Sequence, residues 1–156
     1  MKKAFTMLEL IFVIVVIGIL SSVALPKFAG AGNSAYMAKA KNTLAIVRSA
    51  ISTERQRRIL AGMAGSNITA LNKTDTNGTS VNVFDHFDAA GGVSKPVIDT
   101  PIPMCISGGV ACWGVSGTTY TYVFPDGGKK AQFTLVDNRL DCRNDNEAAD
   151  CAKISN

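Results

Sequence analysis

The chain has 156 residues, of which 47% are hydrophobic and 18% charged, with a formal charge of +4. That length holds one modest domain and an appendage. Removing Lys2 and Lys3 from the 16 basic residues leaves 14 against 12 acidic ones, a balance that does not argue for nucleic acid as a partner.

The apolar content is concentrated at the start, where 18 of the first 25 residues are apolar. From Phe5 to Leu25 the run is 21 residues, about 32 Å as a helix and close to the hydrocarbon thickness of a bilayer. Lys2 and Lys3 precede it, so the positive-inside rule places the N-terminus in the cytoplasm and the chain after Pro26 outside it. Pro26 is expected to kink the helix or break one turn, with Gly30 and Gly32 adding a soft point.

An amphipathic helix is expected from Tyr36 to about Ala61, since Tyr36, Ala40, Leu44, Val47, Ile51 and Leu60 mostly recur every three or four residues. It carries Lys39, Lys41, Arg48, Arg55, Arg57 and Arg58 against a lone Glu54. A solvated face, with the last arginines near the negative helix end, is the plain expectation; a basic surface for acidic neighbours or DNA is the rival.

Gly62 to Ser80 reads as a polar surface loop whose N-x-T triplets at Asn67, Asn72 and Asn77 are assigned no role. Val81 to Phe87 is a short apolar-polar stretch holding the single histidine, His86, expected at the surface or half-buried. Beyond the prolines at 96 to 103, strands are expected at Ala111 to Val115, Thr119 to Phe124 and Ala131 to Val136, with Asp126-Gly127-Gly128 turning between the last two. Their alternating apolar face wants the stripe of the preceding helix.

Cys105, Cys112, Cys142 and Cys151 match no metal or redox spacing, and an even count behind an export-type start suggests disulfides in an oxidising compartment. Three connectivities are open. Two local loops, Cys105 to Cys112 and Cys142 to Cys151, are preferred, because each encloses a Gly-rich or Asx-rich turn. The tail from Asp137 onward is dense in Asx residues and reads as self-made turns. Calcium is the alternative there, with Asp137, Asp141, Asp145 and Asp150 as hard ligands, although no EF-hand spacing supports it.

Three readings compete for the first 25 residues. An ordinary secretory signal would be cut after Ala29-Gly30-Ala31 and leave a secreted soluble module, but Glu9 and the length of the apolar stretch argue against it. A plain membrane anchor could use Thr6 and Glu9 as a Ser/Thr-x-x-Glu capping box, which accounts for a carboxylate being tolerated.

Taken together, the basic KKA stub, FTMLEL, the apolar helix and Pro26 near its end resemble the type IV prepilin family, which includes the pseudopilins of type II secretion. The resemblance covers residues 1–26. It implies cleavage between Ala4 and Phe5 after Lys3, methylation of the new Phe5 amine, and an assembly role for Glu9, whose carboxylate would neutralise a neighbouring subunit's Phe5 nitrogen. Ala4 departs from the glycine that most often precedes the cut. Gly18 and Pro26 would bracket a segment that melts in the filament.

The organisation that follows is a leader at 1–4, a membrane and assembly helix at 5–25, its amphipathic continuation at 26–61 and an extracytoplasmic β domain at 62–156. The fold class is α+β: a long N-terminal helix, its first half in the membrane, packed on a small C-terminal antiparallel sheet, a pilin-like lollipop. The resemblance implies a noncatalytic filament subunit of the bacterial inner membrane, crossing it once, with its C-terminal domain periplasmic or extracellular. Its partners would be a prepilin peptidase and methyltransferase, identical and related subunits, and an inner-membrane assembly platform. No catalytic triad, nucleotide loop or metal cluster at recognised spacing offers an enzyme. A DNA-binding competence pilin, motivated by Arg55 to Arg58, is the other filament reading.

Overall fold

The structure is a computed structural model that describes residues 5–28, 31–63, 65, 67–73, 82–89, 95–106, 108–143 and 148–155. The chain divides into two compact units, residues 1–35 and residues 36–156.

In the first unit, α1 runs from Met7 to Phe28 and buries none of its residues. Its 22 residues rise about 33 Å, and among the described residues the helical stretch beginning here is the one long and apolar enough to cross a bilayer. Pro26 lies inside α1, so the helix passes through it and is still helical at Phe28, the last residue described before 31. Proline is tolerated there because only the bond to the carbonyl one turn earlier is lost. The next helix, α2, spans Ala31–Leu60.

The second unit is built on the buried stripe of α2. Ala40, Leu44, Val47 and Ile51 enter the core, as their spacing of four, three and four residues requires of one helix face. Two ends of the expected stripe do not. Leu60 is 88% exposed because it falls off the face, and Tyr36 stays about half exposed while its carbonyl accepts a bond from the Tyr122 hydroxyl at 3.3 Å. The face continues instead through Glu54 and Arg58, both buried.

Against this stripe lies a four-stranded antiparallel meander of β3 (Cys112–Ser116), β4 (Thr119–Val123), β5 (Lys130–Val136) and β6 (Arg139–Cys142), preceded by a small pair, β1 (Asn82–Val83) and β2 (Ile102–Pro103). The register pairs Trp113 with Tyr122, Tyr120 with Phe133 and Leu135 with Leu140, so one face is apolar throughout. Phe84 stacks on Tyr120 at 5.0 Å and meets Trp113 edge-on at 5.2 Å, closing the aromatic centre of the core. Each outer edge of the meander has one outward carbonyl taken. Arg48 Nε donates to the Leu140 carbonyl at 3.1 Å, and Cys105 N donates to the Trp113 carbonyl at 2.8 Å.

Turn chemistry sets this order. Gly117, at φ 58°, is the first residue of the two-residue link between β3 and β4, where a primed turn demands positive φ. Between β4 and β5 the expected turn forms, with Gly127 at φ 71° donating to the Phe124 carbonyl at 2.9 Å. The first strand begins at Cys112 rather than Ala111, whose φ of 56° excludes it from an extended ladder.

The tail departs most from expectation. Asp137 and Asn138 have φ of 49° and 60°, a two-residue primed turn that returns the chain as β6, and α3 (Ala148–Ser155) follows. Asx residues do make the turn here, but a strand and a helix stand where a continuous loop was expected.

Cys105 is bonded to Cys112 and Cys142 to Cys151. The second bridge ties α3 to β6, and Cys151 and Ile154 of α3 are buried in the core. An eight-residue helix is too short to persist alone, so its docking depends on that bridge and the Ile154 contact. Replacing Cys142 and Cys151 together by serine is expected to lower unfolding free energy by about 2 to 3 kcal/mol. Urea unfolding checks this; an unchanged midpoint would mean that Ile154 docks α3 unaided.

Candidate functional site

The start of α1 is the site that the sequence singled out, and its local geometry is that of a capped helix. Thr6 precedes the first helical residue, and its Oγ1 accepts a bond from Glu9 N at 3.2 Å, while its carbonyl accepts one from Leu10 N at 3.2 Å. Thr6 is thus the N-cap and Glu9 the third helical residue, the spacing of a capping box. Only half the box is closed. Among the described residues no donor meets the Glu9 carboxylate, so it takes no part in the cap and stands at the positive end of an exposed apolar helix. An anion so placed can accept a cationic partner from outside its own helix.

Phe5 is exposed ahead of this cap, whereas Lys3 and Ala4 lie outside the described residues. Gly18 sits mid-helix, and a Cβ there would meet nothing within 4 Å. Packing inside α1 therefore gives no reason for a glycine at that position.

Comparison with family models, with curated proteins and with solved structures finds no match.

The three described tail aspartates are not brought together. Asp137 is exposed in the turn between β5 and β6, Asp141 pairs with Arg139 at 3.1 Å and Asp150 with Lys153 at 2.6 Å, while Asp145 lies outside the described residues. Among the described residues no group of three or more potential ligands forms. Each placed carboxylate that has a partner has a cationic side chain.

The arginine cluster is the largest revision. Arg58, 1% exposed, donates through Nε to Glu54 at 2.9 Å, through Nη2 to the Asp88 carboxylate at 2.6 Å and its carbonyl at 3.2 Å, and through Nη1 to the Asn67 carbonyl at 3.1 Å. Arg57 grips Glu54 from outside through two bonds at 2.7 and 2.6 Å. Asp88 Oδ2 in turn accepts from the Thr69 hydroxyl at 2.9 Å and amide at 3.3 Å. The expected solvated face is, at Arg58, a buried clamp that ties the end of α2 to residues 67–69 and 88. Arg58 is removed from any surface for DNA.

Tyr120 secures the same loop from the sheet side, accepting from Leu71 N and donating to Asn72 Oδ1, both at 2.9 Å. Burial pushes its phenol up to about 12, so it remains a donor. His86 is partly exposed and bridges Pro96 through the backbone, near Asp85 at 3.4 Å.

Hydrogen bonding from Arg57, joined by Arg58, holds the Glu54 carboxyl down at about 2 from an ordinary 4.5, against the opposing push of burial. A carboxylate depressed on folding contributes stability that is complete above about 4.5 and is lost as pH falls toward 2. The second unit is therefore expected to lose up to roughly 3 kcal/mol from this group across that window, and Glu54→Gln should flatten that part of the profile. Urea midpoints measured from pH 5 to pH 2 check this; identical slopes for the two proteins would refute it.

Proposed function

We propose that the chain is a noncatalytic structural subunit of a helical filament, a type II secretion pseudopilin or a type IV pilin, with the pseudopilin favoured by its compact polar domain. One observation carries the reading: Glu9 stands in the first turn of an exposed apolar helix whose cap is closed by Thr6, and no donor among the described residues meets its carboxylate. A charge in that position is unfavourable in lipid unless something pairs with it. In the proposed filament the partner is the Phe5 amine of an adjacent subunit, exposed when a membrane peptidase removes residues 1–4. The pair offsets the desolvation of both groups and fixes the axial register of one helix on the next.

Support comes also from the spacing of Lys3, Ala4, Phe5 and Glu9, from the length of α1, and from the two disulfides of a domain suited to an oxidising compartment. On this reading the subunit waits in the inner membrane with its second unit outside the cytoplasm. Assembly draws α1 out of the lipid.

Mass spectrometry of the mature N-terminus tests the reading. A chain beginning at Phe5 and carrying one added methyl group is the expected product. A chain beginning at Gly32 would overturn the proposal and leave a secreted soluble module in its place.

A further inference from the structure

The second unit begins at Tyr36, and two contacts orient the sheet along α2 from that residue. The Tyr120 hydroxyl meets Leu71 and Asn72, just beyond the Asn67 carbonyl that Arg58 holds, whereas the Tyr122 hydroxyl donates to the Tyr36 carbonyl at 3.3 Å. β4 therefore advances from the Arg58 end of α2 to its Tyr36 end and delivers the turn to β5 there. Cys112, paired with Val123 in the register, lines a small cavity together with Tyr36 and Lys39. The loop closed by Cys105 and Cys112 thus lies at the same end.

On that loop Ile106 is 85% exposed and Val110 about half exposed. The loop is braced. Its disulfide closes it, Gly109 N donates to the Ile106 carbonyl at 2.7 Å, and Cys105 N is bonded to β3. In the β4–β5 turn a Cβ on Gly127 would stand 3.3 Å from Val110, so turn and loop form one patch. The turn brings exposed Asp126, Lys129 and Lys130, and α3 brings Asp150 and Lys153. Lys153 pairs with Asp150 at 2.6 Å and is acted on by Asp126 as well. Three ammoniums against two carboxylates leave a small positive balance, while Lys39 and Asp99, which line one neighbouring groove, offset each other.

Connectivity decides what can reach this patch. Tyr36 follows Phe28, the last residue of α1, by eight residues, and eight residues span at most about 29 Å in any conformation. When α1 crosses a bilayer, the surface from which it emerges therefore lies within that reach of Tyr36. We infer that Ile106 and Val110 dip into that bilayer surface, with Lys129 and Lys130 at headgroup level beside them. Apolar side chains held on a braced loop lose little freedom when lipid covers them. Two such side chains bind too weakly to bring a free chain to a membrane, but the α1 anchor makes the contact intramolecular. With so small a net charge the contact depends mainly on apolar burial, so it forms on a zwitterionic bilayer. It rests on α1 as the membrane span of the proposed function, and on neither cleavage before Phe5 nor Glu9.

The test places Ile106→Trp in the full chain, reconstituted in phosphatidylcholine vesicles whose lipids carry bromine on the upper acyl carbons, where it quenches any tryptophan that enters. Trp113 is buried, so the parent chain supplies the background. Val136→Trp is the control, because Val136 is 57% exposed at the opposite end of β5, next to the turn whose Asn138 bonds to Ile68. Quenching of Ile106→Trp at least threefold above that of Val136→Trp is expected, and adding Val110→Asp should bring it down to the control level. Equal quenching at the two positions, or none at either, overturns the inference. Alkaline carbonate extraction separates the two readings. A chain that stays in the vesicles unquenched loses only this contact, whereas a chain released by carbonate loses the membrane span as well.

Discussion

Replacing Arg58 with methionine is expected to destabilise the second unit by about 3 to 5 kcal/mol, a large part of the 5 to 15 kcal/mol typical of a domain. Methionine preserves much of the volume but removes the guanidinium that joins Glu54, Asp88 and the Asn67 carbonyl. The penalty comes from what is left behind. Glu54, 5% exposed, would keep only Arg57, and the Asn67 carbonyl would lose its Arg58 donor. Asp88 keeps its bonds to Thr69, so part of the loop should stay in place. Arg57→Ala is the informative comparison, because that side chain is about one-third exposed and should contribute well under half as much. Urea unfolding of both variants decides the matter; equal effects would show that Arg58 is no more a clamp than its neighbour.

The second large effect is expected at Glu9. Glu9→Ala should leave the chain in the membrane fraction, since removing a carboxylate from an apolar helix favours insertion, and should abolish filament assembly under the proposed function. Glu9→Gln discriminates further, because it keeps a hydrogen-bonding group of similar size without the charge. If pairing with the Phe5 amine is what assembly requires, the glutamine chain fails as the alanine chain does. Thr6→Ala should behave differently, weakening the first turn of α1 by about 1 kcal/mol while leaving the Glu9 charge. Electron microscopy of assembled material gives the readout, and normal filaments from Glu9→Ala would leave the cap as the sole role of that turn.

How far the fold was legible depended on whether local chemistry or distant chain decided each element. The α2 core residues, the first three strands of the meander and the Asp126-Gly127-Gly128 turn follow from periodicity and turn preference within a few residues. β6 is hidden because Asp137 and Asn138 suit the start of an Asx-rich loop as well as a two-residue turn of positive φ between strands. α3 was hidden by its shortness, since its position depends on a bridge to Cys142 and on packing. At Arg58 the i, i+4 spacing from Glu54 was visible, but such pairs ordinarily lie at the surface. Asp88, 30 residues further along, determines its burial. At the N-terminus the order reverses. Thr6, Glu9 and the apolar run are neighbours in sequence, so the cap could be read directly.

The bonds made at the two edges of the meander bear on how its strands can meet other strands. A sheet with open edges offers a row of unpaired amides and carbonyls to any identical strand, and concentrated chains then fuse into cross-β aggregates. Here Arg48 takes the outward carbonyl at Leu140, and the Cys105 amide takes that of Trp113. An identical strand approaching either edge would have to displace one of these bonds before it could pair there.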